Sequence, residues 1–372
     1  MKTRLLGLVL LWSGLLTATA QDFSTYLKDV AHNELQGYEE GLTAFANADY
    51  PAAYRAWMNL SEQELEERPY LKELKALSVI YQRDPRLLQQ VVAEQPDLLP
   101  PFYAFYAQQP QMELELEGST SVALDKNLFQ AVLNDRDTIT IMLDTGGKGM
   151  GISYEWVEAY NMNRDTSLTR VGLLPAFQVE FDKHPALVPK VQIGSMTLTN
   201  IPASYTDPNS VRGEGEYEGP QFDAIMGLDV FVGFLKQVTF DWKEKQLRFA
   251  KKSTISEGQP FVFFSSKPFT SLAIDGQSYT TVLDTGSTTD ILPKELYLNS
   301  YSEKESKTYG SYSFIEYTIP ITLQGTALQE LHIGDYVQDF NLVIGGESVP
   351  VLIGNKHQKM GFNLRENVVV IE

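Results

Sequence analysis

Two acids carry the chemistry that this sequence offers. Asp284 follows the apolar pair Val282-Leu283 and opens the turn Thr285-Gly286-Ser287-Thr288. Asp144 follows Ile141-Met142-Leu143 and opens Thr145-Gly146-Gly147, 140 residues earlier. A carboxylate at the end of a buried strand is costly, because an unpaired buried charge must neutralise or find hydrogen bonds. Two such acids, delivered by two copies of one unit, are able to meet across a pseudo-two-fold axis. Held close together they cannot both ionise, so one proton is shared between them. The ionised member then acts as general base on a bound water, and the protonated one donates to a substrate carbonyl. Neither a covalent intermediate nor a metal is needed for that chemistry. Thr145 and Thr285 are placed to cross-brace the two turns, and Gly146 and Gly286 let backbone approach the acids without a Cβ in the way.

The elements around the acids repeat in the same order. Each acid turn is followed by an apolar-apolar-Gly, Ile225-Met226-Gly227 after Asp144 and Leu352-Ile353-Gly354 after Asp284, at spacings of 83 and 70 residues. Gly227 and Gly354 then mark places where another strand passes close to an acid loop. Each unit closes on a strand-turn-strand pattern, Val238 to Phe249 and Met360 to Val370. From Met112 onward the chain consists of short alternating or apolar runs bounded by Gly, Pro, Asp and Asn, as in Glu113-Leu114-Glu115-Leu116-Glu117, which reads as an all-β texture. The polar stretch Lys251 to Gly258 divides a first unit, 112–250, from a second, 258–372.

Residues 22–110 read as helical instead. Leu42, Phe45 and Ala46 fall on one helical face, Pro51 sits in the first turn of a second helix, and Ser61 with Glu64 forms a capping box. Asp84-Pro85 and Leu99-Pro100-Pro101 punctuate further helices. The stretch from Gly41 to Trp57 is distantly similar to a tetratricopeptide-type hairpin. A small helical domain packed on the strands, or a removable pro-segment, are the other readings of this region.

The 372 residues allow two or three domains, and the net charge of −18 with pI near 4.7 argues against nucleic acid or an anionic membrane as partner. Residues 1–20 have the three parts of a secretory signal: Lys2 and Arg4, the apolar run Leu5 to Leu16, and Ala18-Thr19-Ala20. That run is short for a membrane span, so the expectation is an exported protein, periplasmic or extracellular, without a membrane span. The sequence has no Cys, which removes disulfides and cysteine catalysis. His32, His184, His332 and His357 show no metal-ligand spacing, and His357 reads as a surface turn residue. No metal and no cofactor is expected. Asp223, Asp229 and Asp290 read as solvated turn or structural acids.

Taken together, the two apolar-Asp-Thr-Gly turns and the later apolar-apolar-Gly of each unit resemble the aspartic proteases of pepsin and retroviral-protease type. Phe222-Asp223-Ala224-Ile225-Met226-Gly227-Leu228-Asp229-Val230-Phe231 is similar to the exported bacterial members. The resemblance covers about 112–372 and leaves out the helical front. It implies a mainly β, bilobal acid-protease fold of two β-barrel-like lobes preceded by a small all-α region. It also implies a peptide or protein substrate in a cleft between the lobes, with Asp144 and Asp284 as the catalytic dyad of a monomer. Gly147 departs from the pattern, standing where Ser, Thr or Ala is usual, whereas Ser287 keeps the hydroxyl. The two acids are therefore expected to be unequal, with Asp284 more readily holding the charge. A hairpin flap is expected too; Arg170-Val171-Gly172-Leu173 and Tyr309-Gly310-Ser311-Tyr312 are candidates, though both read more readily as ordinary surface hairpins. The alternative from another class is a catalytically silent relative that binds a peptide or an envelope partner in the old cleft. A structural β protein with coincidental turns is the third reading.

Overall fold

Three helices of the front start where the sequence supplies a capping side chain, at Asp49, Ser61 and Asp84. In the computed structural model, residues 38–174, 179–212, 222–274, 277–287, 290–292, 305–314, 317–333, 336–344, 351–355 and 357–372 are described. The signal-like residues 1–20, the start of the helical region, Thr288 and the turn at Asp275-Gly276 lie outside them. The helices are α1 (Glu39–Ala46), α2 (Tyr50–Trp57), α3 (Glu62–Glu67), α4 (Pro69–Tyr81), α5 (Pro85–Glu94) and α6 (Phe102–Tyr106), with α7 (Tyr154–Ala159) among the strands. Asp49 caps α2 by accepting from Ala52 N at 3.1 Å, ahead of Pro51 in the first turn. Ser61 and Glu64 exchange bonds as a capping box, Glu64 N to Ser61 Oγ at 3.3 Å and Ser61 N to Glu64 Oε2 at 2.8 Å. Asp84 caps α5 with bonds from Arg86 N and Leu87 N. Trp57 lies so close over Gly41 that any Cβ there would overlap its indole, which locks α1 against α2.

The strands are β1 (Glu113–Glu115), β2 (Ser119–Ala123), β3 (Leu128–Leu133), β4 (Asp137–Leu143), β5 (Met150–Ile152), β6 (Arg170–Leu174), β7 (Val179–Ile193), β8 (Met196–Thr206), β9 (Ala224–Met226), β10 (Gln237–Asp241) and β11 (Gln246–Ala250). They continue with β12 (Gln259–Phe264), β13 (Lys267–Ile274), β14 (Gln277–Leu283), β15 (Asp290–Leu292), β16 (Glu305–Phe314), β17 (Tyr317–Ile333), β18 (Tyr336–Ile344), β19 (Val351–Ile353), β20 (Lys359–Asn363) and β21 (Val368–Ile371). The fold is mainly β.

Six strands close on themselves in the order β8-β5-β9-β4-β3-β7, the ring being completed by β7 pairing with β8. A second ring runs β18-β15-β19-β14-β13-β17 and is closed by β17 against both β18 and β13. Strand for strand the two rings have one topology. In each, the strand that ends on an acid pairs in parallel with the strand that precedes the later Gly. Leu143 sits opposite Met226 in one ring, and Leu283 opposite Ile353 in the other. Closure of this kind satisfies the backbone groups that a sheet edge would leave exposed.

A further run of strands, β12-β21-β20-β10-β11-β2, continues the sheet of the second ring from β13, with β2, β10 and β11 supplied by the first unit. Its central pairing, β10 with β20, brings Val238 opposite Phe362. The strand-turn-strand endings that repeat in the sequence thus find each other. The core is continuous across helices and strands. Trp57, Leu71 and Tyr81 belong to the same buried cluster as Ile141, Leu143, Phe240, Phe263, Leu283 and Phe362. Tyr81 meets the ring of Phe263 edge-on at 5.5 Å, and Asn367 Nδ2 donates to Ala46 O at 3.0 Å. Among the described residues no helix is long and apolar enough to cross a membrane.

Candidate active site

The two acid turns meet where the rings face each other. β4 ends at Leu143 and β14 at Leu283, both fully buried, so the next residue of each leaves the core at the junction. The backbone at each acid is fixed by the parallel neighbour strand: Asp144 N donates to Met226 O and Asp284 N to Ile353 O, both at 2.9 Å. Gly147 N then returns to Asp144 O at 3.0 Å and Ser287 N to Asp284 O at 3.1 Å, so each turn closes on its own acid.

Thr145 and Thr285, both fully buried, cross-link the turns. Thr145 N donates to Thr285 Oγ1 at 3.1 Å, and Thr285 N donates to Thr145 Oγ1 at 2.9 Å. The hydroxyls pass their protons onward, Thr145 Oγ1 to Leu283 O at 2.6 Å and Thr285 Oγ1 to Leu143 O at 3.1 Å. Every donor and acceptor in this buried set is used, and the set maps onto itself when the two turns are exchanged.

The glycines carry the close approach. A Cβ on Gly146 would overlap the Asp284 carboxyl, and one on Gly286 would lie 2.5 Å from the carboxyl carbon of Asp144. Each acid therefore lies against the glycine of the opposite turn. A Cβ on Gly227 would lie 2.7 Å from Gly147 O, so the chain leaving β9 passes directly against the Asp144 turn. Gly354 is buried, and the adjacent Asn355 braces the Asp284 turn by donating from N to Ser287 O at 2.9 Å and from Nδ2 to Thr285 O at 3.3 Å.

The carboxyls are joined by a side-chain hydrogen bond, and their environments differ. Removal from water raises the pKa of Asp144 well above the ordinary carboxylate value, and the negative charge of Asp284 and the bond between the two acids raise it further. Lys267 and the Gly146 N–H, which donates to Asp144 Oδ1 at 2.8 Å, offset only part of this. Asp284 Oδ1 is buried and takes no hydrogen bond from the protein. The pair is thus built to keep one proton, held on Asp144, beside an open acceptor on Asp284.

One sequence expectation changes: His357 is only 4 % exposed, and burial lowers its pKa to about 4, so it is no surface turn residue. Of the two readings of Asp229, solvated or structural, the structural one holds, since it is 8 % exposed and accepts from Gly149 N at 2.8 Å. Asp223 is structural, accepting from Thr140 N at 2.7 Å and from Trp156 Nε1 at 2.9 Å. The flap candidates lie in hairpin strands, not at tips: 170–173 in β6, paired with β7, and 309–312 in β16, paired with β17. The sequence reading passed over Arg83, whose guanidinium holds the backbone just after Gly227; a lone Arg at a helix end carries no motif. No group of metal-ligating side chains occurs among the described residues.

Residues 129–230, the part that carries Asp144 and Gly227, match the family model of aspartyl proteases. That match supports an aspartic protease family and a protease function. No curated protein matches the chain. Among solved structures, the chain is similar to a retropepsin-like aspartic protease from Rickettsia conorii, at 17% identity, with 38% of this chain and 94% of that one covered and a TM-score of 0.24.

Proposed function

We propose that the protein is an aspartic endopeptidase that hydrolyses peptide bonds with a water activated between Asp144 and Asp284. The observation that carries this reading is the hydrogen-bonded pair of unequal acids, one raised in pKa and the other with an open buried acceptor. Asp284 takes the proton of the attacking water, and Asp144 donates to the scissile carbonyl as charge develops on its oxygen. As the gem-diol collapses, Asp284 passes its proton to the leaving amine and a diol hydroxyl returns one to Asp144, so the pair is again singly protonated. Thr145, Gly146, Thr285, Gly286 and Ser287 hold the acids in register, with Gly227 and Gly354 beneath them. A binding protein with a silent cleft has no use for a destabilising acid pair, so the catalytic reading is preferred to the binder.

The wider proposal is the two-lobed acid-protease fold, with lobes at 112–250 and 258–372 and a helical region at 22–110. One chain supplies both acids, so a monomer suffices. The β6–β7 hairpin is the candidate flap. Residues 1–20 act as a secretory signal, giving an exported protein whose substrates are peptides or proteins.

Peptide cleavage across pH, with and without pepstatin, tests the activity. Cleavage that pepstatin blocks and that Asp144→Ala and Asp284→Ala each abolish is the expected result. Absence of cleavage of any peptide library at acid or neutral pH, with peptide binding intact in Asp144→Ala, would establish the binder instead. N-terminal sequencing of exported protein tests the signal, with a mature start near Gln21 expected.

A further inference from the structure

The Asp144 turn continues as Gly147-Lys148-Gly149, a stretch with little stiffness of its own. It is braced from beneath. Gly149 N donates to Asp229 Oδ1 at 2.8 Å, and Gly227 N donates to Gly149 O at 2.7 Å. Asp229 sits in the single 3-10 turn Leu228–Phe231, which begins directly after Gly227. Its side chains Leu228, Val230 and Phe231 pack in the core, while its backbone carbonyls are held from the helical region.

Arg83, two residues past the end of α4, extends its guanidinium into the turn. Nη2 donates to Asp229 O at 2.7 Å and to Val230 O at 3.0 Å, and Nε donates to Val232 O at 3.0 Å. The guanidinium carbon lies 5.1 Å from the centre of the Phe234 ring. Gly233 has φ +84°, and a Cβ there would lie 2.8 Å from Tyr81 O and 3.1 Å from Arg83 Cγ, so backbone meets backbone at this joint. Three carbonyls of one turn held by one fork is a geometry that Lys has no means to reproduce. The Asp284 turn, by contrast, is braced by Asn355 from its own strand end.

We infer that Arg83 is a positioning residue for Asp144, acting through Asp229 and Gly149, and that the helical region is a permanent working part of the protein rather than a removable pro-segment. This rests on the peptidase reading for its kinetic consequence, while the structural link stands independently of it. Misplacing a reacting group by about 1 Å costs on the order of 100-fold in rate.

The test uses the full chain with Arg83→Gln, Arg83→Lys and Asp229→Asn. Turnover is expressed per site titrated with a pepstatin-type inhibitor, so that loss of folded protein does not count as loss of rate. Expected results are a kcat at least about tenfold lower in Arg83→Gln and Asp229→Asn, a KM within about threefold, and a displaced pH–rate profile, with Arg83→Lys intermediate. Amide exchange at Gly149, read without any substrate, is expected to speed up in the same variants. If the wild-type chain cleaves nothing, the peptidase reading fails and the exchange measurement alone decides the link. If Arg83→Gln does not fold, the isosteric Asp229→Asn carries the test. Per-site kcat, pH profile and Gly149 exchange all within twofold of wild type would overturn the inference. So would an active form that mass spectrometry finds to lack the helices.

Discussion

Thr145 and Thr285 donate to each other across the centre of the molecule, each backbone N–H to the other's hydroxyl, at 3.1 and 2.9 Å. Neither turn completes its hydrogen bonding alone, so correct placement of one acid depends on correct placement of the other. Thr285→Val removes the acceptor of Thr145 N and the donor to Leu143 O, both in a dry site. A loss of about 2–4 kcal/mol is expected, against about 1 kcal/mol for Thr285→Ser, which keeps the hydroxyl. Denaturant unfolding measures both, and a loss in Thr285→Val no larger than in Thr285→Ser would contradict the leading part given to the hydroxyl.

Asp144 illustrates a site that works against stability. Its folded pKa is raised above the unfolded value near 3.8, so its favourable contribution is complete below that value and is lost as pH rises through the folded pKa. Asp144→Asn, which carries no proton to lose, is therefore expected to stabilise the fold at pH 7 by about 1–2 kcal/mol and to change little at pH 3. Melting temperatures of the two proteins across that range check the sign. A variant less stable than wild type at pH 7 would contradict it.

Gly147 offers a way to even out the acids. A Cβ there would lie 3.3 Å from Asp144 Oδ2 and 3.1 Å from Asp144 O, tight but within reach of small adjustments. The hydroxyl of Gly147→Ser would stabilise ionised Asp144, lowering the pKa of the shared proton. The alkaline limb of the pH–rate profile is then expected to move to lower pH. Titration of Asp144→Asn and Asp284→Asn in both backgrounds measures the asymmetry directly, and identical profiles for the two single variants would remove it.

His357 gives the fold an acid sensitivity away from the dyad. Its pKa falls from 6.5 to about 4 on burial, so its contribution is complete above 6.5 and is lost as pH falls toward 4. His357→Gln is expected to flatten stability over that window by on the order of 3 kcal/mol. Urea unfolding at pH 7 and pH 4 reads this, and parallel losses in the two proteins would place the acid sensitivity elsewhere.

The acids, their threonines and the glycines that follow were legible because a short motif appeared twice with the same surroundings. Strand ends at Leu143 and Leu283 were legible for the same reason, as an apolar run must stop where a charge begins. The helix starts at Asp49, Ser61 and Asp84 were readable from local capping chemistry. Less legible were β2 and β3, whose Ser-, Thr- and Gln-containing runs lack clean alternation. His357 was misjudged, and Asp229 was left between a solvated and a structural role, because a single polar residue beside a turn looks the same whether it faces water or a packed neighbour.

Sequence by itself determined where the two acid turns lie and that the unit occurs twice. It also determined that the two copies differ at Gly147 and Ser287. These are local facts, written within a few residues of each acid. Only the tertiary structure decided that the two acids share a hydrogen bond, that the threonines close each other's bonding, and that β10 of the first unit pairs with β20 of the second. It alone linked Arg83 to Gly149 across a helix end and a 3-10 turn. Such contacts join residues far apart in the chain, 80 positions for Gly149 and Asp229 and 146 for Arg83 and Asp229, and pairing at that range is fixed by ring closure and core packing, which no local pattern encodes.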